Sequence, residues 1–169
     1  WYYTVHTPIE PRKDKLKKYN AKAKTLDQTA SQPISEHQSL TRSVQNHPPY
    51  AAMVESLDEN VGRLVDALRS RGLEDNTVIV FTSDNGGLST GPKGTMPTCN
   101  LPLRAGKAWL YEGGIREPLL TRQRGEEELL SNCVLRAIST YLLSSTLCCS
   151  AHRYASRTVI TVISAEDWV

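Results

Sequence analysis

Asp84 and Asn85 stand side by side after the apolar run Thr77-Val-Ile-Val-Phe-Thr-Ser83 and before Gly86-Gly87. A carboxylate next to a carboxamide offers oxygen donors, the ligand type that a hard divalent cation such as Ca²⁺ or Mg²⁺ prefers. The two glycines let the backbone turn sharply or approach a ligand closely. Asp-Asn-Gly-Gly is equally good β-hairpin chemistry, and the local pattern alone leaves turn and metal site level. A hairpin needs a second strand, however, and the following Leu88–Pro97 stretch is rich in breakers and reads as a loop. Two other places carry chemistry. His6 lies in Val5-His-Thr-Pro-Ile9, at the tip of an extended turn, where a lone histidine is more often a surface hydrogen-bonding group than a catalyst. Lys107 and Arg104 could set positive charge near an anion, although alone they read as ordinary surface bases.

The elements that must position these residues follow from periodicity. Thr77–Ser83 is nearly all apolar or β-branched, the signature of a strand buried on both faces of a mainly parallel sheet. Ligands in open α/β sheets sit beyond the carboxyl ends of the strands, where Asp84 and Asn85 fall. Upstream, Met53, Val54, Leu57, Val61, Leu64, Val65 and Leu68 recur at spacings of three and four, predicting an amphipathic helix. Pro49 suits its first turn and Gly72 its C′ position. Glu55, Asp58 and Glu59 lie off this stripe and are expected to face solvent. Helix, Glu74-Asp75-Asn76 turn and buried strand form half of an α/β crossover unit. Trp1–Val5 is expected to be a strand, and 12–24 a short basic helix with Leu16 and Tyr19 facing inward. Thr25–Asn46 is expected to be a long surface loop, and 101–118 a looped edge of a site.

Length and charge narrow the classes. A chain of 169 residues can bury a core. Twenty basic against eighteen acidic residues imply no nucleic-acid or other polyanion partner from bulk charge. No apolar run approaches the roughly 20 residues of a membrane span. The chain opens on Trp1 with no signal sequence and is read as beginning partway into a domain.

Val5-His-Thr-Pro-Ile9, Tyr50–Gly62, Val78–Gly87, Pro102-Leu-Arg-Ala-Gly-Lys107 and Tyr111-Glu-Gly-Gly-Ile-Arg116 occur in one order. Together they resemble the middle part of the type I sulfatases, the arylsulfatases and N-acetylgalactosamine sulfatases of the alkaline phosphatase superfamily. The resemblance covers roughly residues 1–120 and implies a partial α/β domain, with a mainly parallel or mixed central sheet flanked by helices. It further implies a sulfuric ester hydrolase acting on a sulfated small molecule or glycan, in a periplasmic, secreted or lysosomal setting. Asp84 and Asn85 correspond to half of the Ca²⁺ site, Lys107 to a lysine on the sulfate, and His6 to an active-site histidine beside the substrate oxygens. A sulfate ester builds charge on peripheral and leaving oxygens as it cleaves, so a metal and fixed cations belong around it.

The departures are equally specific. The family nucleophile is a cysteine oxidised to formylglycine in a Cys-x-Pro-x-Arg motif, and Cys99, Cys133, Cys148 and Cys149 all lack that context. The family's first acidic pair and a second lysine–histidine pair are also missing. The expectation is an N-terminally truncated sulfatase whose nucleophile lies outside this chain, inactive alone. The tail, 121–169, diverges and reads as frameshifted or divergent, without a function. Within it, Glu126–Leu143 patterns as a helix and Thr158–Ile163 as a strand. The rival readings are a phosphoryl- or phosphonate-ester hydrolase of the same superfamily and a non-catalytic module binding a cation or sulfated glycan.

Overall fold

The computed structural model describes residues 2–26 and 32–122, together with the backbone of 158–164. In chain order the elements are α1 (Lys13–Ala23), β1 (Ile34–Glu36), β2 (Ser39–Thr41), α2 (Pro48–Ser70) and β3 (Thr77–Ser83). They continue with β4 (Thr90–Gly91), α3 (Glu112–Ile115), β5 (Leu119–Arg122) and β6 (Thr158–Ser164).

β3 is the centre. Its sequence has the β-branched residues that fit a pleated, buried surface, and Ile79, Val80, Thr77 and Thr82 are all buried, Val80 to 1 % exposure. β5 pairs with it antiparallel, Ile79 opposite Arg122 and Thr82 opposite Leu119. β6 pairs on the other side in parallel, from Thr77 opposite Thr158 to Ser83 opposite Ser164. The sheet, ordered β5-β3-β6, is therefore mixed, and β3 has a neighbour along both edges. The strand predicted at 158–163 lies within β6. The helix predicted at 126–143 lies outside the described residues.

A second sheet corrects the reading of Thr25–Asn46 as loop. β1 and β2 form a hairpin joined by His37-Gln38, with His37 at φ +51°, and β2 pairs onward with β4. Thr41 and Thr90 share a buried hydroxyl–hydroxyl hydrogen bond of 2.9 Å across that second pairing. Three-residue strands are too short to show alternation, and their partner lies about fifty positions away. The expected N-terminal strand also shrinks: within 2–5 only Tyr2 makes a bridge, and Thr4 and Val5 form a turn. There the His6 N–H donates to the Tyr3 carbonyl at 2.8 Å.

α2 forms as its stripe and termini dictate. Pro48 and Pro49 occupy the first turn, and the Tyr50 N–H donates to Nδ1 of the capping His47. Ala52, Leu57 and Leu68 are its buried residues, whereas Val54, assigned to the stripe, is exposed. Beyond Gly72 a short 3-10 turn places the buried Glu74 carboxylate between Arg69 at 3.2 Å and Arg122 at 2.6 Å. One carboxylate thus joins the end of α2 to β5.

The face between α1 and α2 is ionic where an apolar contact was expected. Lys15 is buried to 6 % exposure and pairs with Glu55 at 3.4 Å and with Glu59. Lys18 reaches Glu55 at 2.9 Å and Arg12 reaches Glu59 at 3.7 Å. Leu16 and Tyr19 are only half-buried. Glu55 and Glu59 therefore receive α1 and are not simply solvent-facing; Asp58 is exposed as expected. The physical reason is the surplus of lysines on α1, whose long stems lie along α2 while their heads find carboxylates.

These pairs give the α1 contact a pH window. The hydrogen bond from Lys18 chiefly, with Lys15 adding to it, holds the Glu55 carboxyl below its ordinary value of 4.5. The hydrogen bond to Glu59 chiefly holds the Lys15 amine above its ordinary 10.5. A lowered carboxyl pKa stabilises above 4.5 and is lost as pH falls through the lowered value; a raised amine pKa stabilises below 10.5 and is lost as pH rises through the raised value. Hydrogen-exchange protection factors of the α1 amides, measured in the full-length protein, should hold across neutral pH and fall, before those of β3, as pH drops below 4.5 through the lowered Glu55 value. Unchanged α1 protection at that pH would show that the helix is held by something other than these pairs.

Candidate active site at the end of the central strand

β3 ends at Ser83, and the next two residues are Asp84 and Asn85, both half-buried. The Ser83 hydroxyl donates to the Asn85 carbonyl at 2.9 Å, shaping the turn, and the Asn85 side-chain oxygen is buried. The hairpin alternative fails on topology. β4 follows this turn, but it pairs with β2 and not with β3.

The loop is instead locked to 104–114 through backbone. The Gly86 N–H donates to the Gly114 carbonyl at 3.1 Å, and the Lys107 N–H donates to the Gly87 carbonyl at 3.2 Å. A Cβ on Gly86 would overlap the Gly113 carbonyl, and one on Gly106 would overlap the Gly87 carbonyl and the Ser89 hydroxyl. Only glycine permits this approach. Asn100 closes the assembly: its side-chain NH₂ lies 2.8 Å from the Gly87 carbonyl, 3.0 Å from the Gly113 carbonyl, 3.1 Å from the Ser89 hydroxyl and 3.2 Å from the Ala105 carbonyl. Two protons are shared among four acceptors. Ser89, fully buried, in turn donates its hydroxyl to the Ala105 carbonyl at 2.9 Å.

Of the residues singled out from sequence, Asp84, Asn85 and Lys107 therefore belong to one loop assembly at the carboxyl end of β3. His6 sits in the turn that follows Tyr3, on a separate stretch of chain. Arg104, which alone reads as an ordinary surface base, is engaged by a carboxylate. Its guanidinium grips Glu36 on the β1–β2 hairpin at 2.7 to 3.2 Å and lies 3.8 Å from the Tyr111 ring centre. That partner, first among the causes, keeps the Glu36 carboxyl below its usual range. Asn100, Ser89 and Glu36 were not found by sequence reasoning. Their types are ordinary in loops, and no spacing marks them.

A family model described as "Sulfatase" matches residues 2–138. The chain belongs to the sulfatase family. It is 38 % identical over 132 residues to a sulfatase of Formosa agariphila, covering 73 % of this chain and 20 % of the relative. It is 42 % identical over 72 residues to N-acetylgalactosamine-6-sulfatase of Sus scrofa, covering 42 % of this chain and 13 % of that one. Among solved structures it resembles Ps i-CgsB, at 31 % identity and a TM-score of 0.52 over 73 % of this chain and 22 % of the other. The same protein in complex with k-i-k-neocarrahexaose gives a TM-score of 0.51. The chain thus spans a fifth or less of the length of these two curated relatives.

Within this sulfatase segment, the loop fits part of a hard-cation site. Asp84 and Asn85 supply oxygen donors of the right kind, one charged and one neutral, at a strand end. Ca²⁺ takes six to eight oxygens, and among the described residues no cluster of three or more His, Cys, Asp or Glu side chains adds to them. The two residues can thus hold a shared cation only together with donors from elsewhere.

The Asn100 amide provides the test of the assembly. Asn100→Ala removes the donor to the buried Gly113 carbonyl and should cost about 1–3 kcal/mol. Asn100→Asp keeps the shape but turns an oxygen toward four oxygen acceptors, and should destabilise the full-length protein more than Ala does. Denaturant unfolding of both variants checks the order. An aspartate that is tolerated better than alanine would remove the amide from its role as donor.

Proposed function

We propose that the protein containing this segment hydrolyses sulfate esters, and that Asp84 and Asn85 provide part of a Ca²⁺ site while Lys107 and His6 serve the sulfate group. The observation that carries this reading is the backbone lock between the Asp84–Gly87 loop and Lys107. It sets an acidic, oxygen-rich turn and a lysine side by side at the carboxyl end of the central strand, in a chain of the sulfatase family.

Bound there, Ca²⁺ would neutralise charge on sulfate oxygens and orient the ester. The chain's own residues supply the rest. Asp84 contributes a formal negative charge to the cation site, and Asn85 a neutral oxygen held in place by its buried turn. Lys107 offers an ammonium to the sulfate's peripheral oxygens, which carry negative charge in the transition state while the leaving oxygen takes the electron pair of the breaking S–O bond. Its main chain is anchored by the hydrogen bond to the Gly87 carbonyl. His6 can donate a proton or a hydrogen bond to a substrate oxygen. The nucleophile, a formylglycine by family resemblance, lies outside these residues. A sulfated small molecule or glycan is the substrate class, and a periplasmic, secreted or lysosomal setting would supply it.

The experiment uses the full-length protein. Asp84→Ala should abolish stoichiometric calcium and turnover together, because a charged ligand is lost. Asn85→Ala should weaken calcium less. Lys107→Ala should retain the metal but lower kcat on an aryl sulfate by roughly 10²–10³-fold, the loss typical of one preorganised electrostatic partner. Metal content and kinetics are read on the same preparations. Full calcium occupancy in Asp84→Ala would return Asp-Asn-Gly-Gly to the status of a turn.

A further inference from the structure

Arg42 follows β2 directly, and its guanidinium is tied down without a counter-charge. Nε donates to the Val44 carbonyl at 2.9 Å, one terminal nitrogen to the Met96 carbonyl at 2.9 Å, and the other to Oδ1 of Asn46 at 2.5 Å. All three acceptors are uncharged. By contrast, Arg69, Arg104 and Arg122 each hold a carboxylate within 3.2 Å. Among the described residues Arg42 forms no ion pair with a carboxylate. Burial holds its pKa below the ordinary arginine value, the direction expected of a cation taken out of water. The charge is felt nearby: burial first, and Arg42 second, lower the His47 imidazole below 6.5. A guanidinium has five N–H donors, so this one keeps some in reserve.

Arg42 also forms one wall of a cavity of about 270 Å³. Pro33, Val44 and Met96 give it apolar walls, and Asn46 and Lys93 complete the polar side. Two cations and no acid line it. Lys93 is carried by a turn closed by the Thr95 N–H on the Pro92 carbonyl at 3.1 Å, with Gly94 at φ +89° as that turn requires. The chain at Pro33 is kept against this side by Ser43, whose hydroxyl donates to the Gln32 carbonyl at 2.7 Å. Asn46 has given its oxygen to Arg42, so its NH₂ is the group left to offer. The lining thus presents donors and positive charge. Its volume lies below the roughly 300–1,000 Å³ of sites for drug-sized ligands, which suits one small group.

We propose that this cavity binds a small tetrahedral oxyanion, inorganic sulfate or phosphate, between the Arg42 guanidinium and the Lys93 ammonium. Charge decides the class. Two cations balance a dianion, whereas a carboxylate neutralises only one of them. Geometry agrees, since a guanidinium held by other acceptors still offers N–H groups in fixed directions, and an ammonium on a turn can move to meet the anion. The bound anion supplies the counter-charge that Arg42 lacks and joins the 42–46 stretch to the turn at 92–95. The assignment uses neither Asp84 nor Lys107 and does not rest on the sulfate-ester reading.

The test uses the full-length protein in a Lys107→Ala background, which weakens anion binding at the proposed sulfate-ester site and leaves this cavity to be read. Sodium sulfate, sodium phosphate and sodium acetate are titrated by calorimetry at constant ionic strength, so that general screening is the same in each. Sulfate or phosphate should saturate a site in the millimolar range, and the tighter of the two identifies the anion. Arg42→Gln loses bonds that hold the fold together, so the deciding variant is Lys93→Ala. Lys93 is exposed and makes no hydrogen bond or ion pair among the described residues. Lys93→Ala should weaken the anion roughly tenfold, the size of one charge-assisted contact, and Lys93→Arg should recover it to within about threefold. Unchanged affinity in Lys93→Ala, acetate bound as tightly as either tetrahedral anion, or no saturation at tens of millimolar would overturn the site and leave Arg42 a clamp between loops.

Discussion

Everything at the carboxyl end of β3 depends on how closely two stretches of backbone approach one another. The Gly86 and Gly87 loop and the 104–114 segment meet main chain to main chain, with Gly86 bonded to Gly114 and Lys107 bonded to Gly87. A side chain at Gly86 or Gly106 would push these strands of backbone apart. With them together, buried carbonyls crowd around one point, and such groups cost free energy unless a donor reaches them. Asn100 and Ser89 are those donors. The close approach and the buried polar network thus require each other.

From that constraint the geometry of the candidate site follows. β3 is rigid because it is paired along both edges and buried at Ile79 and Val80. Its rigidity passes to Asp84 and Asn85 through two residues of turn, and to Lys107 through the Gly87 carbonyl. Catalytic groups benefit from such placement, since electrostatic stabilisation requires that charges be in position before charge develops.

The ionic contact between α1 and α2 belongs to another class of interaction. Lys15 is buried against Glu55 and Glu59, and the hydrogen bond from Lys18 chiefly holds the Glu55 carboxyl below its ordinary range, so this contact weakens in acid. Glu74 differs in its partners, since Arg69 and Arg122 hold it between the end of α2 and β5.

Much of this was legible in the sequence. The period of α2, its proline start, the β-branched run of β3 and the oxygen-rich turn after it are local signals, and each element formed where they stood. Five ordered motifs gave the family, because motif order survives where single matches are weak. Other features required the folded chain. β1 and β2 are three residues each, and their existence depends on β4, far along the sequence. Glu55 and Glu59 looked solvent-facing because a helical stripe ranks residues by apolarity and cannot see a lysine arriving from another helix. Val54 fell on the stripe by spacing, yet no element covers it among the described residues. Arg104 and Asn100 could not be assigned from spacing, since the partners that define them, Glu36 and four scattered oxygens, are neighbours only in space. The sequence by itself determined which residues can offer oxygen, charge or a ring, and where helix and strand begin. Only the tertiary structure decided which of them meet, because hydrogen bonds and ring contacts act over a few ångströms, whatever the distance along the chain.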